Sequence, residues 1–231
     1  MIEIVPAVLP KSFEDLKEHL ERLRGAVRRV QVDVVDGVLA RHKTWPYKDH
    51  STFAKIVEDE HGLPLWEEFD FEFDLMIKDP LAHALEYVRA GASRIVLHSD
   101  SDAAAEALTQ LLSWREEQES FTVRVGVAIP ASAQPEVLEP FEAQFDFVQV
   151  MGIERIGRQG EPLDKHALYL VERLRKRYPE LPVQVDGGVK LENAQALAQA
   201  GATTLIVGSA IFGQDDPKAA YAALVAEANR V

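Results

Sequence analysis

Residues 182–210 read PVQVDGGVKLENAQALAQAGATTLIVGSA, and this stretch decides the fold class. A short β-rich run at Pro182–Asp186 is followed by a helical segment at Leu191–Ala200, and a second β-rich run follows at Thr203–Val207. The second run is apolar almost throughout, which is typical of a parallel strand covered on both faces. The stretch therefore predicts two parallel strands joined by a helix.

The same alternation extends over the whole chain. Helical periodicity is found at Phe13–Leu23 behind the N-cap residue Ser12, and again at Ala103–Gln118 and Asp164–Tyr178. Eight strands alternating with helices favour a single (β/α)8 TIM barrel of parallel strands, a fold of about 250 residues. An open, doubly wound sheet is the alternative. The eight β-rich runs are Ile2–Val8, Val27–Val35, Phe69–Met76, Arg94–His98, Thr122–Ile129, Phe145–Met151, Pro182–Asp186 and Thr203–Val207.

The composition predicts one globular domain over residues 1–231. The chain is 47% hydrophobic, contains no cysteine and carries a formal net charge of −13. The missing cysteines exclude disulfides and thiolate nucleophiles. The negative charge argues against nucleic acid or an anionic membrane as a partner. The first ten residues, MIEIVPAVLP, have no basic segment typical of a signal peptide, so we expect a cytoplasmic protein.

Three aspartates lie at or near the ends of predicted strands. Asp33 follows an apolar run, Asp74 lies in FEFDLM, and Asp186 ends PVQVD. A buried carboxylate is costly unless it is paired, bound to a metal or open to a cavity. Each could alone be a turn residue. On one face of a barrel, the three together favour a shared site at the C-terminal mouth, where such barrels carry their active sites.

Two glycine-containing loops follow the last two predicted strands. Gly187 and Gly188 follow the seventh strand, and Gly208 and Ser209 follow the eighth. Glycine lets backbone N–H groups approach a ligand closely, and the loops after strands seven and eight of such barrels frequently bind phosphate. Glycines also serve ordinary turns, but the two loops together predict a phosphorylated substrate.

The irregular segment 36–50 contains ARHKTWPYKDH, which concentrates basic and aromatic residues in an otherwise acidic chain. A long loop inside a compact domain is often functional. It could cover an anionic ligand, with Trp45 and Tyr47 against a sugar ring, or it could be a surface loop packed by its own aromatic residues.

Several of these motifs resemble those of the ribulose-phosphate 3-epimerase family. The resemblance extends along nearly the whole chain. The last two motifs also occur in other phosphate-binding barrels and are less specific for the reaction. The motifs are QVDVVDG at 31–37, FDLMIKDP at 73–80, GVAIPA at 126–131, FVQVMG at 147–152, VQVDGGV at 183–189 and AGATTLIVGSAIFG at 200–213.

The resemblance implies a reaction mechanism. In that family two aspartates exchange the substrate C3 proton through an enediolate, which a divalent metal stabilises. By position, Asp33 and Asp186 are the implied acid and base. Met76 and Met151 match methionines that line the site, although they could equally be barrel core. His98 ends the fourth strand, where the family also tends to carry a histidine, and its role is structural or catalytic.

The implied metal site departs from the family pattern. The family's two histidine ligands are replaced by Gln31 and Asp74, so the implied ligand set is Gln31, Asp33, Asp74 and Asp186. Such an all-oxygen set favours Mg²⁺ or Mn²⁺ over Zn²⁺. Three neighbouring carboxylates repel one another without a cation, so either a hard metal binds or one aspartate is protonated.

The implied phosphate loop after the sixth strand also differs. The family's NPGFGGQ is replaced by IERIGRQGEP at 153–162, in which Gly157 remains and Arg155 and Arg158 are new. Two arginines could bind a phosphate bidentately. They could equally belong to a solvated loop.

The leading hypothesis is a pentulose-phosphate 3-epimerase or a close relative, with a phosphorylated sugar as substrate. One alternative is a metal-dependent decarboxylase or aldolase acting on a phosphorylated sugar acid, although such relatives usually carry a lysine beside the strand aspartates and this chain has none at Val34 or Val35. Another is a catalytically silent sugar-phosphate-binding homologue. Related barrels are often homo-oligomers, so a homo-oligomer is possible.

Overall fold

Eight parallel strands close into a barrel in which β8 pairs with β1. The computed structural model describes residues 1–59, 62–118, 122–141 and 144–230. All eight predicted strands are confirmed, with their ends within two residues of the prediction, and closure excludes the open doubly wound sheet. The strands are β1 Glu3–Val8, β2 Arg29–Val35, β3 Asp70–Met76, β4 Ala92–His98, β5 Arg124–Pro130, β6 Phe147–Met151, β7 Val183–Asp186 and β8 Thr204–Val207.

Helices follow the strands around the outside of the barrel. As predicted, the Ser12 hydroxyl caps the first helix by accepting from the backbone N–H of Asp15 at 3.1 Å. No helix in the described ranges is long and apolar enough to cross a membrane. The helices are α1 Phe13–Leu23, α2 His50–Asp59, α3 Pro80–Arg89, α4 Ala104–Glu116, α5 His166–Arg177, α6 Leu191–Ala200, α7 Ser209–Phe212 and α8 Pro217–Ala228, with a 3₁₀ helix at Pro135–Phe141.

The interior of the barrel is unusually polar for this fold. Alternate residues of a strand point to opposite faces, so those of β2 that face the helices are Val30, Val32 and Val34, all fully buried. The residues between them face inward. In such barrels this position is dominated by bulky branched side chains, whereas here six strands supply polar ones. The buried polar residues of the strands are Gln31, Asp33, Glu72, Asp74, Arg94, His98, Gln149, Gln184, Asp186 and Thr204.

The segment 36–50 packs onto the barrel. Trp45 is fully buried, with its ring 5.8 Å from that of Phe13 and 5.5 Å from that of Phe53. The Thr44 hydroxyl donates to the carbonyl oxygen of Asp33 at 2.9 Å. Trp45 is therefore a core residue, and the hypothesis that it lies against a sugar ring is wrong.

Candidate active site

The three strand-end aspartates meet inside the C-terminal mouth of the barrel. One carboxylate oxygen each from Asp33, Asp74 and Asp186 lies within 4.8 Å of the other two. Asp33 and Asp186 keep 7% and 8% of their surface exposed, whereas Asp74 keeps none. They converge because parallel strands bring all their carboxyl ends to one mouth, as the sequence predicts. Asp74 forms the floor, and the other two face the opening.

Two glutamine side chains hold these carboxylates by hydrogen bonds. Gln31 Nε2 donates to Asp33 Oδ1 and to Asp186 Oδ2, both at 2.9 Å. Gln149 Nε2 donates to Asp74 Oδ2 at 3.0 Å and to Asp186 Oδ2 at 3.3 Å. Gln149 was not among the predicted site residues. Its only signal in the sequence is a polar residue within the otherwise apolar strand FVQVM.

His98 adds a third donor. Its Nε2 lies 2.8 Å from Asp74 Oδ1, and both side chains are almost fully buried. Burial lowers the pKa of a histidine, but the charge and hydrogen bond of Asp74 outweigh that effect, so the pKa of His98 is raised. A protonated imidazole there offsets one carboxylate charge. His98 thus has a charge-balancing contact in the site.

Crowding and burial favour the protonated form of the two aspartates at the opening. Burial, followed by the charges of Asp186 and Asp74, raises the pKa of Asp33 well above its ordinary value. Burial and the charge of Asp74 raise the pKa of Asp186 to about 8. A proton is therefore available within this pair near neutral pH, as general acid–base chemistry requires.

The cluster also fits a hard divalent cation. Three carboxylate oxygens converge, and within the described part of the chain the buried Gln31 Oε1 has no hydrogen-bond partner. Oxygen ligands of this kind suit Mg²⁺ or Mn²⁺. Gln31 turns its nitrogen toward the carboxylates in this structure. A half-turn of its amide would bring Oε1 there instead, an orientation that a bound cation would favour.

A small cavity, open to solvent, lies above the aspartates. Arg155 is not part of its wall, because both oxygens of Glu161 accept from Arg155 Nη2, at 2.7 and 2.8 Å. Gln31 and Asp74 lie beneath the cavity floor. The predicted residues that do line the cavity are Asp33, Met76, Met151, Gly157, Arg158, Asp186, Gly187, Gly188, Gly208 and Ser209.

The two glycine loops come together at one side of this cavity. Gly188 has φ +70°, and a Cβ there would lie 2.5 Å from the Cα of Leu163. A Cβ on Gly208 would lie 2.5 Å from Nε2 of Gln159, whose side chain donates to the carbonyl oxygen of Ala7 at 3.2 Å. Gly188 has no room for a side chain because backbone atoms of Leu163 lie against it, whereas a side chain at Gly208 would displace Gln159. Gln159, which was also missed, crosses the cavity mouth from the loop after β6.

Comparison with known proteins identifies the family. Residues 3–212 match the model of the ribulose-phosphate 3 epimerase family. The chain belongs to this family. It is 30% identical over 217 residues to ribulose-phosphate 3-epimerase of Schizosaccharomyces pombe, covering 94% of this chain and 89% of that one. It is 26% identical over 226 residues to the Bacillus subtilis enzyme of the same name, covering 95% and 96%.

Solved structures agree on the fold. KGPDC from Streptococcus mutans, in complex with a pentose phosphate, matches with a TM-score of 0.73 and 13% identity, covering 100% of this chain and 98% of that one. At this identity the likeness concerns the barrel alone. The epimerase family consists of isomerases, so this chain is an enzyme of that class. The family is generally dependent on a divalent metal, and the aspartate cluster provides a place for one.

Proposed function

We propose that this epimerase-family enzyme interconverts pentulose 5-phosphates at C3, with Asp33 and Asp186 as the acid–base pair. One observation carries the proposal. These two carboxylates line the cavity, while the third aspartate of the cluster lies beneath it. Inversion at a carbon needs one group to remove the proton and another to return it on the opposite face. Two carboxylates with raised pKa values suit that task.

The negative charge that develops on the substrate needs a positive counterpart. We propose that Asp33, Asp74 and Asp186, with Gln31 through its Oε1, hold a divalent metal for this purpose, with Mg²⁺ or Mn²⁺ favoured over Zn²⁺. Such a metal supplies Lewis-acid stabilisation of an oxyanion. The buried carboxylates and the unpartnered amide oxygen support this assignment.

The substrate phosphate is proposed to bind at the two glycine loops. Gly188, Gly208 and Ser209 line the cavity, and their backbone N–H groups are the proposed donors, with Arg158 lining it from the loop after β6. Gly157 and Gly187 complete this side of the wall, and the methionines Met76 and Met151 would pack beside the sugar. The crystal structure of KGPDC contains a pentose phosphate, which supports a phosphorylated sugar as ligand of this fold.

We also propose a cellular location for the protein and the kinds of partner that it lacks. A relative from rice, 27% identical, is named the cytoplasmic isoform of ribulose-phosphate 3-epimerase, which supports a cytoplasmic location. The net charge of −13 supports the absence of nucleic-acid and membrane partners. A single domain over residues 1–231 and a homo-oligomeric state remain predictions.

Solvent exchange at C3 tests the function directly. Ribulose 5-phosphate is incubated with the enzyme and Mn²⁺ in deuterated water, and C3 is followed by NMR. We expect deuterium at C3 together with the C3 epimer. Release of a fragment would instead indicate the decarboxylase or aldolase reaction, and binding without exchange would indicate a silent homologue. Either result, with several divalent metals, would overturn the proposed reaction.

A further inference from the structure

A continuous line of buried hydrogen bonds runs through the barrel below the active site. The line begins at Glu72, which also forms an ion pair with Arg94, with 3.1 Å between Nε and Oε2 but without hydrogen-bond geometry. Gln184 Nε2 donates to Glu72 Oε1 at 2.9 Å and to Gln149 Oε1 at 3.0 Å. Glu72, Gln149 and Gln184 are at most 1% exposed. The orientation of each side chain in this line therefore depends on the one below it.

This line fixes which way the amide of Gln149 faces. Its Oε1 accepts from Gln184, so its Nε2 must face Asp74 and Asp186. A half-turn of the Gln149 amide would set two N–H groups against each other and leave oxygen beside two carboxylates. Gln31 differs, because no described residue donates to its Oε1. The Gln149 amide is therefore held at both its oxygen and its nitrogen, whereas the Gln31 amide is held only at its nitrogen, by Asp33 and Asp186.

The donor of Gln149 occupies oxygens that a cation would also use. Asp186 Oδ2 accepts from both glutamines, and Asp74 Oδ2 accepts from Gln149. Hydrogen bonds to charged groups are stronger than those between neutral groups, and their loss leaves a buried carboxylate unsatisfied. An N–H group that holds these oxygens therefore aligns the carboxylates and weakens their attraction for a metal.

We infer that Gln149 is a positioning residue of this active site, which aligns Asp74 and Asp186 through its amide and competes with a divalent cation for their oxygens. The alignment of Asp74 and Asp186 is tested through catalysis, and that part of the inference rests on the proposed function. The competition with a cation is tested through metal affinity, which does not depend on the substrate.

The test uses Gln149→Met, which keeps the length of the side chain and removes the donor. The control is Thr204→Val, which removes a buried hydroxyl at the first residue of β8 and leaves the line intact. Mn²⁺ affinity is measured by electron paramagnetic resonance, epimerisation by kcat and KM, and folding by thermal unfolding. A merely structural role would make the two variants alike in all three measurements.

We expect Gln149→Met to bind Mn²⁺ about tenfold more tightly, a change of ~1.4 kcal/mol. Its kcat should fall at least about tenfold with KM within about threefold, since a misaligned carboxylate impairs the chemical step more than binding. Thr204→Val should stay within about threefold of the unmodified protein in both quantities, since Thr204 contacts neither Gln149 nor a site carboxylate. Unchanged or weaker Mn²⁺ binding by Gln149→Met would overturn the inference. So would a result in which neither the unmodified protein nor Gln149→Met binds Mn²⁺.

A second variant covers the case in which Gln149→Met does not fold. Gln149→Leu also removes the donor and has a smaller apolar side chain, so Mn²⁺ binding should again become tighter. Weaker or unchanged binding would contradict the inference. If the unmodified protein does not epimerise pentulose phosphates while the variants bind Mn²⁺ more tightly, the proposed reaction fails and the competition stands.

Discussion

His98 and Asp74 share a buried hydrogen bond, with 2.8 Å between Nε2 and Oδ1. Together with the donor from Gln149 on Oδ2, it engages both oxygens of this aspartate. Asp74 is thereby fixed in place below the cavity. The carboxylates of Asp33 and Asp186 remain at the opening, where a substrate can reach them. Asp74, whose two oxygens are held by hydrogen bonds, is thus separated from Asp33 and Asp186, which are placed to move a proton.

The division predicts which aspartates are essential. Asp33→Asn and Asp186→Asn should each lower the rate of C3 proton exchange at least ~10²-fold, the usual contribution of a positioned acid or base. The rate is measured by deuterium incorporation under substrate saturation. Asp102→Asn is the control, since Asp102 also lies near this mouth but its side chain is 67% exposed. A loss of similar size in the control, or none in the two site variants, would contradict the assignment.

Stability should fall as pH rises when no metal is bound. The pKa of Asp186 is about 8 in the folded protein, against ~3.9 in an unfolded chain. Between these values the folded state holds a proton that the unfolded state has released, so raising the pH removes that stabilisation. The raised pKa values of Asp33 and His98 act in the same direction.

Calorimetry in the presence of EDTA checks this pH dependence. The unfolding temperature should decrease steadily from about pH 5 to about pH 8, where the folded aspartate finally ionises. Asp186→Asn should make the decrease shallower, because its amide does not titrate. An unfolding temperature that stays constant or rises over this range would contradict the raised pKa values of these groups.

The two loop arginines should differ in their effect on substrate binding. Arg158 lines the cavity, whereas Arg155 is 62% exposed and paired with Glu161. Arg158→Ala should raise KM for a sugar phosphate about tenfold, the equivalent of one charged hydrogen bond. Arg155→Ala should change KM less than about twofold, because exposed ion pairs contribute little. Steady-state kinetics of both variants gives the two KM values. Equal changes in KM would contradict the placement of Arg158 at the cavity and Arg155 away from it.

Restoring imidazole ligands should change the metal preference. Nitrogen ligands favour zinc, whereas an all-oxygen site favours harder ions. The double variant Gln31→His/Asp74→His should retain close to one zinc per chain after dialysis, measured by elemental analysis, whereas the unmodified protein should retain almost none. Gln31→His alone serves as the intermediate control. Tightly held zinc in the unmodified protein would contradict the proposed ligand chemistry.

Much of the fold and many of the residues that line the candidate site could be predicted from the sequence alone. Strand runs such as Phe145–Met151 are apolar enough to be recognised, and Asp33 and Asp186 stand where strands end. Gln149 was missed because one glutamine in an apolar strand does not reveal which residues of other strands lie across the barrel from it. Only barrel closure brings it to Asp74, 75 positions away in the chain.

Local sequence by itself determined the order of strands and helices, because periodicity and capping act over a few neighbouring residues. It also determined that carboxylates would gather at one mouth, since parallel strands all end there. The tertiary structure alone decided that Trp45 fills the core, that Arg155 pairs with Glu161 while Arg158 faces the cavity, and that the Gln149 amide can only donate to the site. These outcomes depend on contacts between residues far apart in the chain. Packing and burial set such contacts, and no local pattern encodes them.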